Sequence, residues 1–119
     1  MMARLLLPNC ETAFIDIRKL RDYALNSSHP EGRHKAKVFM SALGVSGADS
    51  QWLATEILQC LPFGEAVQTE STPWGQLYRV DLPIRRGGRC AVVRTGWLCS
   101  GFTTKLTTCF VVGDCNETA

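Results

Sequence analysis

The sequence has no long apolar run. Its N-terminal leucine stretch, Leu5–Leu7, contains three residues and is ended by Pro8. A membrane-spanning helix needs roughly 20 apolar residues, and the core of a secretory signal needs about 7–15. The sequence therefore predicts neither segment, and we expect a cytoplasmic protein that has no membrane partner.

The common cofactor and metal motifs are missing as well. The sequence contains no Walker A loop and no Gly-x-Gly-x-x-Gly segment, so nucleotide binding by those routes is not predicted. The two histidines, His29 and His34, lack the His-Glu-x-x-His spacing of zinc hydrolases. We therefore expect no cofactor and no metal.

Neither sign of charge dominates the composition. Thirteen Lys and Arg residues face eleven Asp and Glu residues, which leaves a net charge of +2. This balance is compatible with a nucleic-acid partner but does not predict one, because dedicated binders concentrate their basic residues on one face. The length of 119 residues predicts a single domain, residues 1–119, with a core that needs no disulfide support.

The six cysteines occur without any Cys-x-x-Cys pair, and most of them lie inside apolar runs. In the absence of an export signal, this pattern favours free thiols buried in the core over disulfides or zinc ligands. Cys10 and Cys115 lie in polar segments near the termini, and we expect these two thiols to be the most reactive.

Helical spacing gives way to strand-like alternation along the chain. Helices are predicted over residues 16–24, 33–43 and 46–61, and strands over 65–70, 76–84, 89–99 and 106–112. The strand connections are short, which favours an antiparallel meander. We therefore predict an α+β fold with three N-terminal helices packed on one face of a four-stranded antiparallel sheet. Residues 1–10 are predicted to form an extended arm and residues 113–119 a frayed tail.

The strand at 89–99 is mostly apolar on both faces, which predicts a central position in the sheet. It carries one charge in this apolar setting, Arg94. A buried guanidinium needs an anionic partner. Two interpretations follow: Arg94 forms a structural ion pair or is partly exposed, or it binds an anion such as phosphate.

Alternation along the second strand places Tyr78, Val80 and Leu82 inward and therefore Arg79 and Asp81 outward. Arg94 and either Thr107 or Thr108 are predicted to share this outward face. Such a set of Arg, Asp and Thr can bind a phosphate and transfer a proton. The alternative is a polar cross-strand ladder on a solvated face.

The start of the second helix is rich in titratable and cationic side chains. They are His29, Arg33, His34, Lys35 and Lys37. Clustered cations at a helix N-terminus favour an anion, and histidine is a common acid or base near neutral pH. The alternative is the ordinary charged, solvated side of an amphipathic helix.

Trp74 lies in the Pro-Trp-Gly turn between the first two predicted strands. An aromatic side chain in such a turn can stack on a nucleic-acid base. The alternative is a tryptophan that folds back onto the sheet.

Two segments, His29-Pro-Glu-Gly-Arg-His-Lys-Ala36 and Val93-Arg-Thr-Gly-Trp97, carry a resemblance to a known family. Together with Asp16–Tyr23, Tyr78, Val80-Asp81 and Leu106–Thr108, they resemble a bacterial domain-of-unknown-function family. Its members include short stand-alone proteins and C-terminal domains of toxin-like polypeptides. The resemblance spans residues 7–112.

The layout of helices followed by a four-stranded sheet is also similar to barnase, EndoU nucleases and RelE-type toxins. This similarity implies His34, Lys35, Arg94 and Thr107 or Thr108 as functional residues. Unlike barnase, the sequence has no histidine within or after the predicted sheet.

The resemblance leads us to expect a metal-independent ribonuclease of the bacterial toxin type. Its predicted catalytic residues are His34, His29, Lys35, Arg94 and Thr108, and its predicted substrate-binding residues are Arg33, Lys37, Arg79, Asp81 and Thr107. If this is right, one histidine should lie beside an open sheet edge, close to Arg94. The alternative is a non-catalytic module that binds a protein or a nucleic acid through the outer sheet face or an open edge.

Overall fold

A computed structural model describes residues 5–115 as an α+β fold. The helices are α1 (Ile17–Lys19, continued by a π-helical turn, Leu20–Ala24), α2 (Arg33–Leu43) and α3 (Ser50–Cys60). The strands are β1 (Ala66–Thr72), β2 (Gly75–Arg86), β3 (Arg89–Ser100) and β4 (Thr103–Asp114). Short 3-10 turns occupy Cys10–Thr12, Gly47–Asp49 and Leu61–Phe63.

The helices begin and end where local chemistry favours it. In α2, Ala36, Phe39 and Leu43 form a buried stripe at helical spacing. Gly44 then adopts a left-handed conformation (φ 67°) that ends the helix. The turn leading into α3 begins with a capping box, in which Ser46 and Asp49 satisfy each other's backbone N–H groups.

The sheet is an antiparallel meander with the strand order β1-β2-β3-β4. The β2–β3 pairing is unbroken over its whole length, from Gln76 opposite Cys99 to Arg86 opposite Arg89. As predicted, β3 is a central strand, because β2 and β4 pair with its two sides.

All three helices contribute to one core on one side of the sheet, which we call the inner face. Leu20, Phe39 and Ile57 are buried there together with inward residues of β2 and β3. Trp97 is fully buried, and its indole Nε1 donates to Thr95 Oγ1 at 2.8 Å. That hydroxyl in turn donates to the Val80 carbonyl at 2.6 Å, so the polar atoms of the core are paired.

One stretch of the β4 edge is covered by the segment that precedes α1. The Phe14 N–H donates to the Thr104 carbonyl at 2.8 Å, and the Phe14 carbonyl accepts from the Leu106 N–H at 2.9 Å. Beyond Leu106 the start of α2 approaches the same strand.

The predicted fold class is confirmed at the level of a four-stranded antiparallel meander with three helices, but the helices are not at the N-terminus itself. They lie between Ile17 and Cys60, after a segment that contains the 3-10 turn at Cys10–Thr12. The predicted frayed tail begins later than expected, because β4 continues to Asp114. Within the predicted arm and tail, residues 1–4 and 116–119 lie outside the described residues.

The expectation of six free thiols is wrong. Cys90 and Cys115 form a disulfide that ties the start of β3 to the residue after β4. The pairing could not be read from local pattern, because the two residues are 25 positions apart and are brought together by the β3–β4 hairpin. Cys10, Cys60, Cys99 and Cys109 are free.

Among residues 5–115, no helix is long and apolar enough to cross a membrane. The cytoplasmic location stays a prediction.

Candidate functional site

The side of the sheet that faces away from the helices, the outer face, carries three consecutive cross-strand rows. They are Leu77–Leu98–Lys105, Arg79–Gly96–Thr108 and Asp81–Arg94–Phe110. Directly opposed residues share a face, so these side chains project on the same side of the sheet. The predicted outward positions of Arg79, Asp81, Arg94 and Thr108 are therefore confirmed.

Arg94 has an anionic partner within the chain. Its Nε and Nη2 donate to the two carboxylate oxygens of Asp81 at 2.9 and 3.0 Å. The pair is 37% and 34% exposed, so it lies at the surface rather than in the core. The hydrogen bond to Asp81 raises the pKa of Arg94 above its usual value. This is the geometry that the ion-pair interpretation predicted.

The middle row has a gap at its centre because Gly96 has no side chain. A Cβ at this position would lie 3.0 Å from Thr108 Cγ2 and 3.1 Å from Thr107 Oγ1. The resulting depression, which we call the Gly96 depression, has a volume of about 220 Å³. Its lining includes Arg79, Arg94, Thr107, Thr108 and Phe110.

Both threonines reach this depression because β4 contains a bulge. Gly96 pairs with Thr108 while the next residue of β3, Trp97, pairs with Leu106, so Thr107 is the extra residue. A bulge leaves one residue unpaired and redirects its side chain. Alternation predicts either Thr107 or Thr108 on the outer face, and the bulge brings both to the depression.

Lys35 reaches this part of the sheet from α2. Its Nζ donates to Thr108 Oγ1 at 3.3 Å and to the Tyr23 hydroxyl at 3.5 Å. It also lies 5.0 Å from the centre of the Tyr23 ring and 5.3 Å from that of Phe110. These contacts fix an ammonium group beside the two threonines, and we call Lys35, Arg94, Thr107 and Thr108 the Lys35–Arg94 cluster.

The loop before α2 explains how Lys35 comes to be there. His29 Nδ1 accepts from the backbone N–H groups of Glu31 and Gly32, both at 3.0 Å. The His29 ring also packs edge-on against Tyr23, with their centres 4.8 Å apart. A Cβ at Gly32 would overlap the Tyr23 carbonyl oxygen. His29 and Gly32 therefore hold the start of α2 against Tyr23, and Lys35 follows in the first turn.

Among residues 5–115, the structure shows no contact between the cluster and the other predicted residues at this helix start. Arg33, His34 and Lys37 are exposed on α2. Neither histidine lines the Gly96 depression, and the expected position of a histidine beside an open sheet edge, close to Arg94, stays a prediction.

A second concavity lies against the β4 edge and shares the two threonines. It has a volume of about 540 Å³, and Arg18, Lys19, Tyr23, Thr107 and Thr108 are among its lining residues. Asp16, at the same cleft, has its pKa lowered to about 2, chiefly by its hydrogen bond with Arg18. The two threonines thus have cations on both sides: Lys19 lies on the helix side and Arg94 on the sheet side.

This arrangement suits an oxyanion ligand. Ammonium and guanidinium groups form charge-assisted bonds to phosphate oxygens, and threonine hydroxyls can donate to them. The described residues contain no group of three His, Cys, Asp or Glu side chains that could hold a metal ion.

Sequence reasoning missed Tyr23, Gly96 and Phe110 as parts of this site. Gly96 carried a usable signal, because a glycine inside a strand often marks a close approach or a bulge. Tyr23 and Phe110 gave no such signal, since their contacts with Lys35 arise only from the packing of α2 against β4.

The fold and the cluster define a small α+β domain with a cationic site on the sheet face that none of the described helices covers. The family described as a domain of unknown function (DUF6883) matches residues 6–113, so the chain belongs to that family. This confirms the predicted membership of an uncharacterised domain family. Searches of curated proteins and of solved structures found no match.

Proposed function

We propose that this chain binds single-stranded RNA on its outer face and cleaves it without a metal ion, using the 2′-hydroxyl of the RNA as the nucleophile. The observation that carries the proposal is the Lys35–Thr108 contact, which brings a cation from α2 to the face that holds Arg94.

Phosphate binding is assigned to Lys35 and Arg94. An arginine has five N–H groups, and Asp81 takes two of those of Arg94. The remaining N–H groups can bind non-bridging phosphate oxygens without breaking the ion pair. Lys35 and Arg94 are both neighbours of Phe110, which places the two cations along the same stretch of the outer face.

The chemical step needs one base and one acid. Asp81 accepts the 2′-hydroxyl proton as the O2′–P bond forms, and the P–O5′ bond breaks. His34 donates a proton to the departing O5′, which leaves a 2′,3′-cyclic phosphate and a 5′-hydroxyl. Lys35 and Arg94 stabilise the charge that develops on the phosphoryl oxygens. His29 has a positioning role through the loop that it organises.

The test is incubation of the purified protein with a labelled single-stranded RNA in excess chelator, followed by mass analysis of the ends. We expect 2′,3′-cyclic phosphate products, and no cleavage of DNA of the same sequence, because DNA lacks the nucleophile. Lys35→Ala and Arg94→Ala should each lower kcat about a hundredfold or more. His34→Ala, which removes the proposed general acid, should also lower kcat.

Arg21→Ala is a matched control for Arg94→Ala. Arg21 also forms a two-bond pair with an aspartate, Asp22, but lies outside the cluster. Its loss should leave cleavage unchanged. RNA that stays intact across neutral pH at high protein concentration would overturn the nuclease proposal.

A non-catalytic binding module is the second candidate, and the completed Arg94–Asp81 pair favours it because the arginine is already neutralised. If the chain is such a binding module, 2′-O-methyl RNA would bind in an Arg94-dependent manner and unmodified RNA would remain uncleaved. If neither RNA bound, a protein partner on the outer face or at an open edge would be the remaining choice.

A further inference from the structure

Three exposed aromatic side chains meet at the end of the sheet where the two hairpin turns lie. Trp74 is 74% exposed, Phe102 is 93% exposed and Phe14 is 59% exposed. Trp74 belongs to the β1–β2 turn and Phe102 to the β3–β4 turn, whereas Phe14 is bonded to the β4 edge. Solvent-exposed aromatic clusters of this kind mark interaction sites.

These side chains line a single groove of about 710 Å³, the aromatic groove. It is also lined by Leu98, Thr103 and Lys105. Among the described lining residues Lys105 is the one charged group and four others carry hydroxyl groups, so the groove combines aromatic surface with polar groups and one cation. Flat aromatic faces combined with a cation match a nucleic-acid base and its phosphate.

The groove lies on the same face as the site of the proposed cleavage, further along the strands towards the hairpin turns. Arg94, at the cluster, and Leu98, at the groove, are four residues apart on the outer side of β3, a distance of about 13 Å. This is comparable with the length of two nucleotides in an extended single strand. A strand with a phosphate at Lys35 and Arg94 would therefore bring a base two or more nucleotides away to the aromatic groove.

Hydrogen bonds order the backbone that carries two of these side chains, Trp74 and Phe14. The Trp74 N–H donates to Thr72 Oγ1 at 3.1 Å, and that hydroxyl donates to the Gly75 carbonyl at 2.9 Å. Phe14 is fixed by its two backbone bonds to β4. A preordered platform loses little entropy when a base stacks on it.

We infer that the aromatic groove is a base-stacking subsite for single-stranded RNA, two or more nucleotides from the phosphate bound at the Lys35–Arg94 cluster. The inference rests on the proposed function and names the part of its substrate that lies beyond the scissile phosphate. Stacking tolerates any base, so this subsite provides affinity and a preference for unpaired RNA rather than sequence specificity.

The test uses a 2′-O-methyl RNA hexamer, which binds but lacks the free 2′-hydroxyl needed for cleavage. Trp97 is fully buried and Trp52 is half-buried, so Trp74 is the tryptophan open to contact with a base. We expect the hexamer to quench tryptophan fluorescence and to protect it from acrylamide. Trp74→Ala should abolish this signal, and it should raise the Kd measured by anisotropy about fivefold or more.

Phe102→Ala should weaken binding in the same way, and Trp74→Phe should restore most of the affinity because it keeps a stacking ring. Met40→Ala is the matched control, since Met40 is an exposed apolar residue on α2, outside the groove. Its loss should not change the Kd.

The outcomes separate this inference from the proposed function. If wild-type protein fails to cleave RNA, the nuclease proposal fails, whatever the hexamer does. If RNA is cleaved but Trp74→Ala and Phe102→Ala leave the Kd and the fluorescence unchanged, the stacking subsite is refuted. Self-association that these two substitutions abolish, without quenching by the hexamer, would also refute it and would identify the groove as a protein contact.

Discussion

The two faces of the sheet are made from alternate residues of the same strands, yet they have opposite characters. On β3 the inner residues Val93, Thr95 and Trp97 are fully buried, and their polar atoms are paired. The outer residues between them, Arg94 and Gly96, are partly exposed and lie beside cations and hydroxyls. One strand can therefore supply stability on one side and binding groups on the other, and substitutions should separate the two.

The largest loss of stability is expected from removal of the Cys90–Cys115 disulfide, which links the start of β3 to the residue after β4. Replacing Cys90 and Cys115 together by serine should lower the free energy of unfolding by about 3 kcal/mol, because the closed loop spans 25 residues. Denaturant titration of the oxidised wild type and the double variant measures the difference.

Cys10→Ser is the control for that substitution and should have little effect. Alkylation of the unfolded, unreduced chain should label four thiols, those of Cys10, Cys60, Cys99 and Cys109. Labelling of all six would contradict the disulfide.

Val93 and Val92 offer the most direct comparison of the faces, since they are neighbours of identical type. Val93 is fully buried on the inner face, whereas Val92 is half-buried on the outer side. Val93→Ala should cost about 2 kcal/mol of unfolding free energy, and Val92→Ala less than about 1. If urea titrations showed the same loss of unfolding free energy for both variants, the distinction between a structural and a binding face would be contradicted.

The Arg94–Asp81 pair should contribute little to stability, because both groups are about one-third exposed and solvent screens their attraction. Arg94→Ala should shift the unfolding free energy by an amount close to the error of a denaturant titration. A double-mutant cycle with Asp81→Ala isolates the pair itself. A large coupling would show that the ion pair is structural, and would favour the binding-module candidate.

Titration of the buried Cys109 thiol is expected to have the smallest effect on the free energy of unfolding at neutral pH. Burial raises the pKa of Cys109 to about 12, so the folded state keeps this proton when the unfolded state loses it near pH 9. The stability contribution is complete below the unfolded pKa and is lost as the pH rises towards 12. Native-state iodoacetamide labelling at pH 8 should therefore modify Cys10 well before Cys109.

Much of the fold could be predicted from local pattern. Helix α2 has the predicted bounds because its buried stripe and Gly44 are both visible in sequence. The facing of Tyr78, Val80 and Leu82 followed from alternation, since the β2–β3 register is unbroken. Strand β4 begins earlier than predicted, because the tight turn at Gly101 pairs Thr103 directly with Ser100.

The candidate site was only partly predictable, because its contacts join distant segments. Alternation placed Arg94 and Asp81 on one face, but it could not reveal that Lys35 would bond to Thr108, 73 residues away. The role of His29 was also hidden, because its Nδ1 bonds belong to a loop conformation that the sequence pattern does not specify.

The bulge in β4 has a consequence for which changes of length the chain can tolerate. Leu106 and Cys109 both face the core although three positions separate them, and this is possible only because Thr107 is the extra residue. Deletion of Thr107, which gives the same sequence as deletion of Thr108, would leave every core residue of β4 on its present side and would remove this bulge, leaving the irregularity opposite Val92 and Val93. Deletion of Lys105 instead would move the core-facing residues on one side of the deletion to the outer face. A library of single-residue deletions should therefore contain a folded but functionally impaired member that lacks one of these two threonines, whereas deletions on either side of the pair should unfold the protein.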